Sequence, residues 1–120
     1  MKFNESAPIY LQIIEDIKSK IITGEYQPGQ RIDSVRDMAL DYGINPNTIQ
    51  KALAECENQN LLYNEGPNGR FISEDTEMIE KLKEDQINLV ITECIKTMKR
   101  YGLSIPRMIQ LIKEIGEREN

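Results

Sequence analysis

Gly43 and the pair Asn45-Pro46 stand almost side by side between two segments with apolar faces. No other feature constrains the fold of this chain as tightly. Glycine accepts the left-handed conformation that closes a helix. Asn is a good helix N-cap, and Pro suits the first helical position, where its missing N–H has no intrahelical partner to lose. One helix therefore stops and another starts within a few residues, which forces a sharp corner.

The segments on either side fit this reading. Ser34 is placed to cap the first of them, with Val35, Met38 and Ala39 turned inward. In the second, Ile49, Ala52, Leu53 and Cys56 fall at the i, i+3, i+4 and i+7 positions of one buried face. Two short helices about a glycine-containing corner form a helix-turn-helix outline.

The flanks supply the rest of a domain. Pro8 opens an earlier helix, in which Ile9 or Tyr10, Ile13, Ile14, Ile17 and Ile21 recur at helical spacing. Gly24 ends it, and Pro28-Gly29 marks a turn. After the corner, Leu61-Leu62-Tyr63 and Arg70-Phe71-Ile72 flank the cluster Gly66-Pro67-Asn68-Gly69. That order predicts a β-hairpin, and a hairpin following a helix-turn-helix is a wing. The predicted fold is mainly α with a small β-hairpin: a winged helix-turn-helix over residues 1–73, then a two-helix tail over 74–120.

In the tail, the spacing predicts a helix from Thr76 to about Tyr101, broken by Gly102, and a second helix capped by Ser104 with Pro106 in its first turn. Leu82, Ile87, Leu89, Val90, Ile91, Cys94, Ile95 and Met98 give the longer helix a wide apolar stripe. Ile105, Met108, Ile109, Ile112 and Ile115 mark that of the shorter one. Both stripes are wider than a two-helix pair covers, so a second tail is the natural cover. Folding back onto the winged helix within a monomer is the alternative.

Composition narrows the function by exclusion. The 120 residues include no histidine, the commonest general base and metal ligand. The carboxylates form no catalytic arrangement distinct from a solvated helix face. Cys56 and Cys94 lack metal-ligand spacing and are expected to be buried, reduced thiols of a cytoplasmic protein. No apolar run approaches the roughly 20 residues of a bilayer span, and residues 1–10 do not read as a signal peptide. The formal net charge is −5. Residues 1–72 carry 7 Lys/Arg against 10 Asp/Glu, and residues 73–120 carry 8 against 10. This balance disfavours nucleic acid as a partner, yet affinity depends on which face holds the cations.

The third helix carries Asn47, Thr48, Gln50 and Lys51 on its exposed side, with acids returning only at Glu55 and Glu57. Amides and one Lys at a helix N-terminus suit base-edge recognition; an ordinary solvated face is the alternative. At the hairpin tip, Gly69 permits close backbone approach to a phosphate or minor groove, and Arg70 supplies charge.

Four segments then resemble the GntR-type bacterial repressors: Pro8-Ile9-Tyr10-Leu11-Gln12-Ile13, Tyr26-Gln27-Pro28-Gly29-Gln30-Arg31-Ile32, Ser34-Val35-Arg36-Asp37-Met38-Ala39, and the run from Gly43 to Leu53. All four are in register over roughly residues 6–72. Three positions depart from the pattern. Asp33 replaces the usual Pro and adds negative charge near the expected DNA face. Asn60 replaces a Gly, which the tolerance of Asn for the left-handed conformation allows. Arg70 is an addition to the wing.

The short tail resembles that of the YtrA subfamily, in which such helices mediate dimerisation. It is too short for an aminotransferase-like extension, so no pyridoxal phosphate or other cofactor is implied. The resemblance implies a transcription regulator, not an enzyme, that represses a nearby transporter-type operon by binding a palindromic double-stranded DNA operator as a homodimer. It implies that Arg36 contacts phosphate or base, and that Ser34 and Asn45 cap helices and reach phosphate. Asn47, Thr48, Gln50 and Lys51 would meet bases and backbone, and Gly69 and Arg70 the minor groove or adjacent phosphate. The dimer face would comprise Leu82, Leu89, Val90, Ile91, Ile95, Met98, Ile105, Met108, Ile109 and Ile112. A small-molecule effector has no residue assigned to it. The rival reading is a winged helix that binds protein without reading DNA.

Overall fold

The computed structural model describes residues 2–119. They form five α-helices, a two-stranded hairpin and a short 3₁₀ turn. The chain divides into two compact units, Met1–Glu80 and Lys81–Asn120.

In the first unit, α1 (Ile9–Ile22), α2 (Val35–Tyr42) and α3 (Pro46–Asn58) precede β1 (Leu62–Asn64) and β2 (Arg70–Ile72). α3 packs against α1, α2 and β1. Its inward face is the predicted one: Ile49, Ala52, Leu53 and Cys56 are all fully buried. They meet Ile13, Ile14, Ile17 and Ile21 of α1, and Met38 and Ala39 of α2, in one core. A fully buried Ile or Leu contributes about 1.5–3 kcal/mol over an exposed one. Pro8 is the N-cap of α1 and so lies one position before the helix proper.

The corner is built from the expected caps. Ser34 Oγ accepts from the Asp37 amide at 3.1 Å, and Asn45 Oδ1 accepts from the Asn47 amide at 2.8 Å. Gly43 closes α2 at φ 69°. At the far end of α3, Asn60 takes φ 61°. There the Leu61 amide donates to the Cys56 carbonyl and the Asn60 amide to that of Glu57. This is the bonding of a Schellman cap with Asn in glycine's place.

β1 and β2 pair antiparallel, with Leu62 opposite Ile72 and Asn64 opposite Arg70. Gly66–Asn68 form the 3₁₀ turn at the tip. A further segment joins the hairpin: Arg31 bridges Phe71, the Ile32 amide donates to the Arg70 carbonyl, and the Ile72 amide donates to that of Gln30. This places residues 30–32 along β2 as a third, very short strand.

α4 (Thr76–Arg100) begins with the Asp75 carboxylate accepting from the Met78 amide at 3.1 Å. Its first turn belongs to the first unit and the remainder to the second. Gly102, at φ 82°, breaks the helical run. α5 (Ile105–Glu119) follows, and Ser104 Oγ accepts from the Arg107 amide at 3.3 Å. No described helix is long and apolar enough to cross a membrane.

The apolar stripes of the tail are largely uncovered. Leu89, Val90, Ile91, Ile105, Ile109 and Ile112 are 44–62% exposed. Leu82, Ile95 and Met98 are half-buried, and Met108 alone of the predicted dimer face is fully buried. Cys94 corrects an expectation. Cys56 is buried, but Cys94 lies exposed on α4, its Sγ 3.6 Å from Met98 Sδ. The stripe to which Cys94 belongs has no cover within α4 itself.

Candidate nucleic-acid interface

The caps that form the corner leave the start of α3 projecting. Asn45, Asn47, Gln50 and Lys51 are exposed, and Thr48 is half-buried. Asn47 and Gln50 lie one helical turn apart and so share a face. Ser34 and Arg36 are exposed at the start of α2. Arg36 makes no ion pair among the described residues. It borders a shallow apolar hollow with Val35, Leu40, Ile44 and Pro46.

The cations predicted for the site are held differently from one another. Lys51 Nζ rests 3.9 Å from the centroid of the Tyr10 ring, a cation–π contact that ties α3 to α1. Arg70 is engaged inside the domain. Its Nε donates to Glu57 Oε1 at 2.5 Å, and Nη2 donates to Gln50 Oε1 at 3.1 Å. Arg70 thus ties the wing to two turns of α3, and its charge is matched by a carboxylate.

The cation that lies free at the wing is Arg31, which the sequence reading did not select. It is exposed, makes no ion pair among the described residues, and lies across Gly69. A Cβ on Gly69 would stand 2.8 Å from Arg31 Nε. Gly69 itself has φ 102° and ψ −165°, a region essentially confined to glycine. The guanidinium thus already occupies the close approach that Gly69 allows. A signal for Arg31 was present: it alternates with the buried Ile32 after the Pro28-Gly29 turn, as a strand residue pointing outward does.

Three acids of this unit, Glu15, Asp16 and Glu57, are held in ion pairs. Asp16 accepts from the Tyr42 hydroxyl at 2.7 Å and pairs with Lys20 at 3.3 Å. Asp33 and Asp41 line the same cavity of about 390 Å³, with Tyr26 and Met38. Asp33 is exposed and directly precedes Ser34. Burial, and then the bond to Asp16, push the Tyr42 phenol well above its ordinary range.

Known proteins share this fold. The family described as bacterial regulatory proteins, gntR family, matches residues 9–72. The uncharacterized HTH-type transcriptional regulator YhcF of Bacillus subtilis (strain 168) is 36% identical over 97% of this chain and 96% of its own. The HTH-type transcriptional repressor YtrA of the same organism is 33% identical over 92% of this chain and 86% of its own. A solved GntR family transcriptional regulator from Listeria monocytogenes superposes with a TM-score of 0.83 at 35% identity, covering 93% of this chain and 98% of that one. These relatives are transcription regulators, not enzymes. The chain accordingly belongs to the GntR family of bacterial regulatory proteins and is a DNA-binding transcription regulator.

Proposed function

We propose that the chain is a cytoplasmic repressor that binds a roughly palindromic operator as a homodimer, one α3 in each of two major grooves. The observation that carries this reading is the exposed, acid-free polar start of α3, standing beside a wing that offers Arg31. Asn47, Thr48 and Gln50 meet base edges. Arg36, Lys51 and Arg31 meet phosphate, with Ser34 and Asn45 at the two helix starts and Arg31 lying over Gly69 at the wing. Two-fold symmetry sets half-sites roughly 10 bp apart, or a multiple of that spacing.

The dimer reading is supported by the uncovered stripes. Leu82, Leu89, Val90, Ile91, Ile95, Met98, Ile105, Ile109 and Ile112 keep apolar surface open, whereas Met108 is already buried. Joining two weakly cationic winged helices through such a face supplies avidity. The division of labour is a DNA-binding part over residues 1–73 and a dimerising tail over 74–120. Repression fits the name of the YtrA relative, and a nearby transporter-type operon is the proposed target. A small-molecule effector is compatible with this architecture.

Arg36→Ala tests the DNA reading. In a mobility-shift titration it should weaken operator binding by about 1–3 kcal/mol without unfolding the protein, and unchanged binding would contradict the role given to Arg36. Ile109→Asp tests the tail. Sedimentation should shift from dimer to monomer, and a variant that stays dimeric would contradict the proposed face. The apolar hollow beside Arg36 gives the protein-interaction reading some aliphatic surface, but the exposed start of α3 offers amides rather than the aromatic and aliphatic anchors of protein interfaces.

A further inference from the structure

We propose that Arg70 is a positioning residue that decides which end of the Gln50 carboxamide faces DNA, making Gln50 a reader of hydrogen-bond acceptors on the base. The proposal rests on the reading of α3 as the helix that enters the major groove.

Gln50 and Glu57 are seven residues apart, close to two helical turns, and so lie on one face of α3. Arg70, the first residue of β2, reaches both, with Nε to Glu57 Oε1 at 2.5 Å and Nη2 to Gln50 Oε1 at 3.1 Å. A guanidinium has donors and no acceptor. The end of the carboxamide facing it must therefore be the carbonyl oxygen, since a reversed amide would set N–H₂ against N–H. The Glu57 carboxylate anchors the guanidinium through a charge-assisted bond, the stronger class of hydrogen bond. The wing thus fixes the polarity of a side chain on the recognition helix.

Nε2, the other end of the carboxamide, makes no hydrogen bond among the described residues, on an exposed side chain. The familiar bidentate pairing of Gln with adenine needs both ends, one donating to N7 and one accepting from N6. Oε1 keeps a second lone pair, but Arg70 holds that oxygen on its own side of the carboxamide, so the donor end leads. Nε2 carries two N–H groups, which suit the N7 and O6 acceptors of guanine or the O4 of thymine. Gln50 is expected to favour guanine or thymine at its position and to disfavour adenine.

Selection from a random duplex pool with the full-length protein tests this. The unsubstituted chain should prefer an acceptor-presenting base over adenine by roughly tenfold at one position in each half-site. Gln50→Ala should erase the preference at that position alone. Arg70→Met, which keeps the apolar stem, should reduce it to about threefold or less while neighbouring positions keep theirs, because a loose carboxamide can present either end. Arg70→Lys should restore part of it. The double variant Glu57→Gln/Arg70→Met removes the unpaired acid and must behave as Arg70→Met does, which covers a single variant that folds poorly.

If Arg70→Met instead weakens binding to all sequences equally, and flattens the salt dependence by about one unit of slope per subunit, Arg70 is a phosphate contact and the proposal is overturned. An adenine preference at the Gln50 position also overturns it. A pool from which even the unsubstituted chain enriches nothing overturns the DNA reading itself, and this inference falls with it.

Discussion

The guanidinium of Arg31 lies across the backbone of Gly69, so near that a methyl group on Gly69 would stand 2.8 Å from Nε. Gly69 is doubly restricted, by that neighbour and by its φ of 102°. Gly69→Ala should therefore cost about 1–3 kcal/mol for the backbone conformation alone and should displace Arg31. The expected readout is a lower melting temperature together with weaker operator binding. An alanine variant that melts and binds like the parent would show that the wing does not need this approach.

Arg31 is exposed and bears little of the fold's weight. Arg31→Ala should leave the melting temperature nearly unchanged and weaken binding to all DNA sequences alike. Counting Arg31, Arg36 and Lys51 on two subunits gives about six phosphate-type contacts, so log K should fall with log salt at a slope near −5. The variant should flatten this by about one unit per subunit. A slope that does not change would remove Arg31 from the phosphate contacts.

The Ser34 hydroxyl is the cap of an eight-residue helix in which only Met38 and Ala39 are buried. So short a helix depends on its ends. Ser34→Ala should destabilise the domain by about 0.5–2 kcal/mol, read by thermal or urea unfolding. Because the same cap sets the direction in which Arg36 leaves the helix, operator affinity should fall with it. An unaltered unfolding midpoint would show that the bond to the Asp37 amide contributes nothing.

Two buried groups predict how stability depends on alkaline pH. Burial pushes the Cys56 thiol up to about 12, and burial with the Asp16 bond raises the Tyr42 phenol. Both hold their protons more firmly in the folded chain than in the unfolded one. Below the ordinary values of 9.0 and 10.0, both states are protonated and this contribution is complete. Above pH 9.0 the unfolded chain loses protons first, so stability declines, for Cys56 until pH is about 12. The melting temperature should fall steadily from about pH 9, and Tyr42→Phe should make that fall shallower above about pH 10. A flat profile across this range would contradict the burial of both groups.

Local signals account for what was legible in the chain. Ser34, Gly43, Asn45, Pro46 and Asn60 act within a few residues of their own positions, so their roles as caps could be read directly and the structure retains each. The α3 core face followed from spacing alone. The wing's wiring did not, because it depends on pairs far apart in sequence. Arg70 meets Gln50 across 20 residues and Glu57 across 13, and Arg31 meets Gly69 only once residues 30–32 align with β2. Charge at the wing tip pointed to Arg70, whereas the tertiary fold pairs that residue and leaves Arg31 free. The same limit applies to Cys94, which is exposed: an apolar stripe signals burial without saying whether the cover comes from the same chain.

In the proposed complex α3 reads DNA sequence in a two-fold arrangement. The decisive experiment is selection of binding sites from a random duplex pool by the purified 120-residue chain. The expected result is one enriched motif with two inverted half-sites whose centres lie about 10 bp apart or a multiple of that. A pool that remains unenriched, or a single motif without inverted symmetry bound by monomer, would contradict it.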